Sequence, residues 1–229
     1  MTARPQPVSR RERPAKPALT RAGIISSAVR VMRAEGLQRV TMRRLARELD
    51  TGPASLYVYV ANTAELHAAI LDELLGEVDL QSAAGDGDWR ERIEAVLTSY
   101  SGLLYQHPSL AQSALVARPS GPNYLKLLEA LLALLSLGGV PDDQAAWGVD
   151  VLLQVATAGA AEHAGREGSP DSEGEWDAVA EAVTNVSARE APHVAALGTE
   201  LVSGTPRGRE SWRIRVLLNG ILRTPRVTS

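Results

Sequence analysis

The chain has 229 residues, enough for one or two hydrophobic cores, and its hydrophobic content of 45% is typical of a globular protein. It contains no cysteine, which excludes disulfide bonds and thiolate metal sites. Residues 1–60 hold 12 Arg or Lys against 4 Asp or Glu, a net of +8, whereas the remaining residues hold 12 against 23, a net of −11. A basic amino-terminal part on an acidic body indicates one end that meets phosphates, with ordinary surface charge as the alternative.

The beginning of the chain carries prolines with basic residues between them and lacks the apolar content of a core. We predict that residues 1–18 form a disordered basic arm, which either adds phosphate or minor-groove contacts or acts only as a solubilising tail. No segment has the layout of a signal peptide, and the longest apolar stretch, Leu125 to Val140, contains Lys126 and Glu129 and is too short to span a bilayer. We therefore expect a cytoplasmic protein without a membrane partner.

The first predicted helix begins at Thr20, and Leu19 and Ile24 are spaced for a hydrophobic staple at its start. Gly36 supplies its end. Its apolar stripe at helical spacing consists of Ile24, Ala28, Val31 and Met32. We expect this helix to pack over the two helices that follow.

Residues 41–62 predict two short helices joined by a tight turn. Thr41 is a residue type that caps helices, and apolar residues follow it at helical spacing. Asp50-Thr51-Gly52-Pro53 ends this helix, and Pro53 suits the first turn of a second helix over 53–59. Asn62 and Glu65 complete a capping box for the next helix. Two short helices joined in this way, with arginines on the first and hydroxyl groups on the second, indicate a helix-turn-helix.

The same stretch carries a family resemblance. Thr41, Leu45-Ala46 and Leu49, followed by Ser55-Leu56-Tyr57-Val58-Tyr59-Val60-Ala61-Asn62 and Glu65-Leu66, resemble the DNA-binding domain of the TetR family of bacterial repressors. The resemblance implies an all-α fold, in which a head domain over 19–80 precedes a helical ligand-binding and dimerisation domain over 88–224.

The resemblance also implies which residues contact double-stranded DNA. The short helix 53–59 is expected to enter the major groove, where base edges are distinguishable. Arg43 matches a family position that reaches guanine, whereas Arg44 and Arg47 are candidates for backbone phosphates. The predicted contact residues are Arg43, Arg44, Arg47, Ser55, Tyr57, Tyr59 and Thr63. Two alternatives stay open: Tyr57 is mainly a core residue, and Arg47 belongs to a solvated face.

Two positions depart from the family pattern. Asp50 stands where the family usually has glycine in the turn, and an aspartate accepts the left-handed conformation at some local strain. Thr63 replaces a frequent phosphate-binding lysine, so we expect a hydroxyl hydrogen bond there instead of an ion pair. We expect a modest loss of affinity for DNA.

The rest of the chain predicts helices throughout. A linking helix is expected over 63–80, and Gly85-Asp86-Gly87-Asp88 marks the boundary between the domains. Leu125 to Leu137 is so apolar that we expect it to be buried on most sides. The predicted body helices cover about 89–106 with Asp88 as cap, a short segment after Pro108, 125–137, 141–164, 175–189, 192–203 and 208–222.

Residues 100–165 resemble the ligand domain of the tetracycline-repressor branch. In tetracycline-responsive members, a histidine that ligates the drug-bound magnesium stands at the position of Ala114, and alanine cannot bind a metal. We therefore expect an apolar or weakly polar organic effector rather than Mg-tetracycline, with no cofactor and no metal site. The candidate pocket walls, for each of which plain core is the alternative, are Val96, Tyr100, Leu115, Arg118, Leu127, Leu131, Trp147, Val151 and Gln154.

The resemblance implies a homodimer, built as a four-helix bundle from helices 141–164 and 208–222. Apolar area would come from Trp212, Val216 and Ile221. The small residues Gly148, Ala156, Gly159 and Ala160 permit close helix approach, either between subunits or, alternatively, within one subunit. Helix-turn-helix dimers place their reading helices about 34–36 Å apart, so the expected operator is palindromic.

Enzyme signatures are missing from the sequence: it has no HExxH, G-x-S-x-G, P-loop or GxGxxG motif, and its four histidines are scattered. We therefore do not expect an enzyme, and the resemblance implies a homodimeric repressor that a small organic effector releases from DNA. The alternative is an interaction protein that keeps the fold without operator reading or ligand response.

Overall fold

The computed structural model describes residues 18–116, 119–167 and 172–226. Across these ranges the secondary structure is helical without any strand, which confirms the predicted all-α fold. The predicted arm up to residue 17 and the predicted pocket residue Arg118 lie outside the described residues. The described helices are α1 (Arg21–Glu35), α2 (Met42–Glu48), α3 (Pro53–Leu56), α4 (Thr63–Leu75), α5 (Gln81–Ala84), α6 (Trp89–Tyr105), α7 (Pro108–Ala114), α8 (Pro122–Leu137), α9 (Asp142–Glu167), α10 (Ser172–Asn185), α11 (Pro192–Leu197) and α12 (Pro206–Arg223). Short 3-10 turns lie at Leu37–Arg39 and Gly198–Val202.

The head consists of α1, α2, α3 and the start of α4. Its first two helices begin where the sequence predicts, because the hydroxyl groups of Thr20 and Thr41 accept hydrogen bonds from Gly23 N–H and Arg44 N–H, both at 3.1 Å. The side chains without exposed surface in this core are Ile24, Ala28, Leu45, Leu56, Leu66 and Ile70. These residues come from all four helices, and they are continuous with the buried apolar residues of the body.

The predicted capping box at the start of α4 is confirmed with one change. Asn62 Oδ1 accepts a hydrogen bond from Glu65 N–H at 2.9 Å. Glu65 Oε2 accepts in return from Ala61 N–H at 2.7 Å, one residue earlier than the cap itself. This backbone hydrogen bond, followed by the guanidinium of Arg21, holds the pKa of the Glu65 carboxyl below its usual value.

Helix α4 belongs to the head and to the body, because it packs against α1 on one side and against α7 and α8 on the other. It ends at Leu75, earlier than the predicted helix over 63–80, and the separate turn α5 follows. The break comes at Gly76, where a Cβ would lie 3.3 Å from the Asn123 side chain of α8. After this point the chain continues in tighter turns, in which Glu77 N–H donates to Leu74 C=O at 2.9 Å, although the apolar periodicity runs on to Val78.

In the body, α6, α8 and α9 pack on one another, and α12 closes the group against α9 and α6. The expected burial of Leu125 to Leu137 on most sides is wrong. Helix α8 buries a single stripe, and its Leu125 and Leu137 are 59% and 63% exposed, because its neighbours α4, α6 and α9 leave the opposite side of the helix uncovered. The buried stripe consists of Leu127, Leu131, Leu134 and Leu135.

Helices α9 and α12 approach each other closely at two glycines. A Cβ on Gly148 would lie 2.7 Å from Ile221 Cγ2, and a Cβ on Gly159 would lie 3.1 Å from Arg213 Nη1. Gly148 and Gly159 therefore pack closely within one subunit, as the alternative interpretation of these small residues predicted. None of the described helices is both long enough and apolar enough to cross a membrane.

Candidate nucleic-acid interface and ligand cavity

Helices α2 and α3 present a group of exposed polar side chains on the head. Arg43 and Arg47 lie one turn apart on α2, and both are exposed. Ser55 is exposed on α3, and the Tyr57 side chain directly after this helix is 54% exposed. The alternative that Tyr57 is mainly a core residue is therefore wrong, because Leu56 and Val60 fill the buried positions of this stretch.

The two residues after Tyr57 differ in their surroundings. Tyr59 is half-buried, and its side chain packs against the hydrophobic core. Val58 is 80% exposed and lies among the predicted contact residues, although the sequence reasoning did not include it. The sequence could have indicated this exposure, because Leu56 and Val60 already occupy the buried apolar positions of this short stretch. An exposed valine in this position is suited to contact a thymine methyl group.

Arg44 is held by two carboxylates and differs in this from Arg43 and Arg47. Its guanidinium donates to Glu35 Oε1 at 2.6 Å and to Glu48 Oε2 at 2.9 Å. The hydrogen bond from Arg44 holds the pKa of the Glu35 carboxyl below its usual value, and the two carboxylates raise the pKa of Arg44. A guanidinium with both sides occupied is poorly placed to bind a DNA phosphate.

The turn between α2 and α3 has the conformation that the sequence predicted. Asp50 adopts φ = 47°, which is the left-handed region, and it is the non-glycine residue with positive φ among the described residues. Thr51 N–H donates to Ala46 C=O at 2.8 Å and closes the turn. Thr63 is exposed at the first position of α4, with its hydroxyl on the surface of the head.

The eight predicted pocket residues within the described ranges do not surround a common cavity. Val96, Leu127 and Leu131 have no exposed surface and belong to the body core. Leu115 is 55% exposed on the turn after α7. Trp147, Val151 and Gln154 lie together on the exposed side of α9, and Trp147 is 57% exposed beneath the guanidinium of Arg226.

Tyr100 is the predicted pocket residue with a buried polar group. Thr157 Oγ1 donates to Leu153 C=O at 2.7 Å, so the Tyr100 hydroxyl, also at 2.7 Å, donates to Thr157 Oγ1. Burial raises the pKa of the Tyr100 phenol. The chain of hydrogen bonds satisfies the phenol inside the core and joins α6 to α9.

A cavity of about 1120 Å³ lies between α6, α9, α12 and the turn that precedes α12. Its apolar walls come from Leu152, Val155 and Ala156 on α9 and from Ile214 and Leu217 on α12. A smaller hollow of about 610 Å³ between α6 and α12 is walled mainly by charged and hydroxyl side chains. Because small-molecule sites are mostly apolar with a few polar groups, the larger cavity is the better candidate for a ligand site.

Polar groups stand at one end of this larger cavity. The rings of Tyr105 and His163 meet edge to face with their centroids 4.8 Å apart. Arg213 extends over Gly159, where the missing Cβ makes room for its guanidinium. Burial, followed by the charge of Glu210, raises the pKa of the Tyr105 phenol, and Arg213 opposes this. The cavity thus offers a phenol and a guanidinium beside aliphatic walls.

Two histidines lie where the head-linking helix meets α7. His67 Nδ1 on α4 is 3.4 Å from Ser113 Oγ on α7. Burial lowers the pKa of His67, and burial together with the nearby Arg33 lowers the pKa of His107, which precedes α7. Among the described residues, no three His, Asp or Glu side chains are grouped so that they could hold a metal ion.

Residues 24–70 match the family of bacterial regulatory proteins of the tetR family, and residues 81–218 match the tetracyclin repressor-like C-terminal domain. The chain belongs to the TetR family. The TetR-type head is the one described above, with α2 and α3 as its helix-turn-helix, and the second match covers the helices that form the cavity.

Several TetR-family relatives have solved structures. The transcription regulator SCO7704 from Streptomyces coelicolor is 56% identical, with a TM-score of 0.78, over 93% of this chain and 100% of that one. ActR from the same organism, crystallised in complex with actinorhodin, is 32% identical, with a TM-score of 0.77, over 90% and 96% of the two chains. The transcriptional repressor DrrR1 of Streptomyces coeruleorubidus is 36% identical over 129 residues, which are 56% of this chain and 48% of DrrR1. The chain spans about half the length of the curated relatives that it matches.

Proposed function

We propose that the protein is a homodimeric transcriptional regulator of the cytoplasm, which binds a palindromic operator through its two heads and leaves it when a small organic molecule occupies the body. The observation that carries this proposal is the separation of two surfaces joined by one helix. Exposed Arg43, Arg47 and Tyr57 stand at the outer end of the head, and the cavity lies in the body, with α4 between them.

The head surface has the chemistry of a DNA reader. Two arginines on α2 supply charge for phosphates or a guanine edge, and α3 with the residues after it supplies hydroxyl groups and Val58. The major groove of B-DNA is about 12 Å wide and admits a helix of this kind. We assign direct contacts to Arg43, Arg47, Ser55, Tyr57, Tyr59 and Thr63, and we assign Arg44 a supporting role because Glu35 and Glu48 occupy its guanidinium.

Binding to DNA from the gene's own promoter region, measured by fluorescence anisotropy over a salt series, tests the proposal. We expect tight binding to one fragment with a steep salt slope, because several phosphates are contacted. Arg43→Ala and Tyr59→Ala should each weaken specific binding by about 1–3 kcal/mol. The matched control is Arg189→Ala, which removes an exposed arginine far along the chain. Equal weak binding to all fragments would instead support the interaction protein.

The effector site in this proposal is the larger cavity. Its aliphatic walls suit the flat or bulky body of an organic molecule, and the Arg213 guanidinium and the Tyr105 phenol suit an oxygen-bearing edge. The structures of ActR with bound actinorhodin support a ligand of this general kind. Occupation would shift the population of head positions toward one that misfits the operator.

Actinorhodin is therefore the first probe for the cavity. We expect it to release the protein–operator complex in the anisotropy assay. Val155→Trp should narrow the cavity, and Arg213→Gln should remove a charged donor, so each should raise the concentration needed for release by about tenfold without weakening operator binding. Arg223→Gln, an exposed arginine on the same helix outside the cavity, is the control. Release that is unchanged by Val155→Trp would place the effector elsewhere.

A further inference from the structure

Helix α4 carries a buried carboxylate on the side that faces the body. Asp72 is 8% exposed, and its Oδ1 accepts a hydrogen bond from Tyr124 N–H, in the first turn of α8, at 2.9 Å. Asn123 Nδ2, also on α8, donates to the backbone carbonyl of Asp72 at 3.0 Å. Two hydrogen bonds therefore join the middle of α4 to the beginning of α8.

Helix α8 has no capping side chain of its own. Its N-cap is Gly121, which offers no side chain, and Pro122 stands at the first helical position. The first turn of a helix leaves backbone N–H groups without partners and favours a nearby negative charge. A capping side chain normally bonds the N–H of the second or third helical residue, and Tyr124 is the third. Asp72 therefore caps α8 from another helix.

Gly121 makes this arrangement possible by its size. A Cβ at this position would lie 2.1 Å from Asp72 Oδ2 and 2.3 Å from Asp72 Cγ. The backbone of Gly121 has φ = −88°, which any residue adopts, so the requirement for glycine is one of space and not of conformation. Any side chain at 121 would displace the carboxylate from its place against α8.

We propose that Asp72, seated against Gly121, is the positioning residue that fixes the orientation of the head relative to the body. Helix α4 begins in the head, at the capping box of Asn62, and α8 packs against α6 and α9, which form walls of the cavity. A shift of α6 or α9 reaches α4 through this contact. The inference rests on the proposed function for its effect on operator binding. The contact of Asp72 with Gly121 and Tyr124, called the joint below, is itself tested without DNA.

The joint is tested first by amide hydrogen exchange in the full-length protein. In Asp72→Ala and in Gly121→Ala, we expect faster exchange at residues 122–125 and 72–76 than in the wild type, while the core of α9 stays protected. Glu73→Ala, the exposed neighbour on the same helix, is the control and should change nothing. Unchanged exchange in a folded Asp72→Ala protein would overturn the proposal.

The second measurement is the distance between the two heads. Because the chain has no cysteine, Ala34→Cys on the exposed side of α1 gives one spin label per subunit. We expect Asp72→Ala and Gly121→Ala to broaden the head-to-head distance distribution and to weaken operator binding roughly two- to thirtyfold. Asp72→Asn keeps an acceptor for Tyr124 N–H, so it should recover most of the narrow distribution. A cap that only stabilised α8 would leave the distribution unchanged in folded protein.

The outcomes separate this inference from the proposed function. A wild-type protein without a head-to-head distance or without operator binding would contradict the proposed dimeric regulator, and the exchange experiment would still decide the joint. A wild-type protein that behaves as proposed, with Asp72→Ala equal to it in distance and affinity, would overturn the joint alone. Should Asp72→Ala fail to fold, Gly121→Ala decides, because it retains the carboxylate in the chain but displaces it.

Discussion

At the scale of single residues, neighbouring arginines in the helix-turn-helix have different surroundings, and we propose different roles for them. The sequence places Arg43, Arg44 and Arg47 on one short helix and predicts DNA contact for all three. It could not show that Glu35, from the end of α1, and Glu48 close on Arg44 from two sides. Contacts between separate helices decide which charge is left for a phosphate.

Substitution of these arginines one at a time distinguishes a contact with DNA phosphate from a contribution to the stability of the head. Arg47→Ala should weaken operator binding and reduce the slope of log affinity against log salt by about one, because one phosphate contact is lost. Arg44→Ala should leave that slope nearly unchanged and lower the free energy of unfolding of the head, since Glu35 and Glu48 lose their partner. Anisotropy over a salt series and urea unfolding measure the two effects. An equal loss of slope in both variants would contradict the assignment.

At the scale of elements, local sequence predicted the beginnings of helices well. The caps at Thr20, Thr41 and Asp88 bond N–H groups only two or three residues away, so the sequence contains all the information they need. The cavity could not be predicted in this way, because Tyr105 and Arg213 meet across more than a hundred residues. For the same reason, the sequence alone could not show which side of α8 its neighbouring helices leave uncovered.

The junction of α4 with α7 should make the stability of the protein depend on pH. Burial lowers the pKa of His67 and His107. Below about pH 6.5, these two side chains therefore bind more protons in the unfolded chain than in the folded chain. The stability that these neutral rings contribute is present above that pH and is lost as the pH falls through their folded pKa values. Arg33 and Glu77 face His107, and Glu77 opposes the shift.

Urea unfolding between pH 7.5 and pH 5.5 measures this dependence. The free energy of unfolding should fall toward pH 5.5, and His67→Gln should make the curve flatter. His193→Gln removes an exposed histidine and should leave the curve as it is in the wild type. A wild-type curve that rises toward pH 5.5 would contradict the role of these two rings.

At the scale of the whole molecule, an apolar face on α9 and α12 is largely exposed, with the Arg226 guanidinium over its Trp147 ring. Trp147 and Val151 on α9 and Trp212 and Val216 on α12 are all substantially exposed, and Trp212 reaches 69%. The two helices pack against each other, so these residues lie on neighbouring helices. In the proposed dimer a second copy covers this face, because single subunits rarely expose several large apolar residues together.

Charge placed in this face should separate the subunits. Trp147→Glu and Trp212→Glu should each weaken dimerisation by more than about tenfold, because a charged carboxylate would replace a large apolar contact surface in the interface. Sedimentation equilibrium measures the association, and operator binding should fall with it. The control is Leu137→Glu, at the exposed end of α8. Dimers that persist in both tryptophan variants would move the interface elsewhere.

The order of the helices along the chain matters for synthesis. The head is complete once α4 has left the ribosome, whereas α12, which closes the body against α9 and α6, emerges more than a hundred residues later. A nascent chain therefore carries a folded head without the helix pair that would bring a second head beside it. A lone head contacts few phosphates and holds DNA weakly. If two subunits must associate before the operator is bound tightly, the concentration of the binding-competent dimer in a cell rises with the square of the subunit concentration at low abundance.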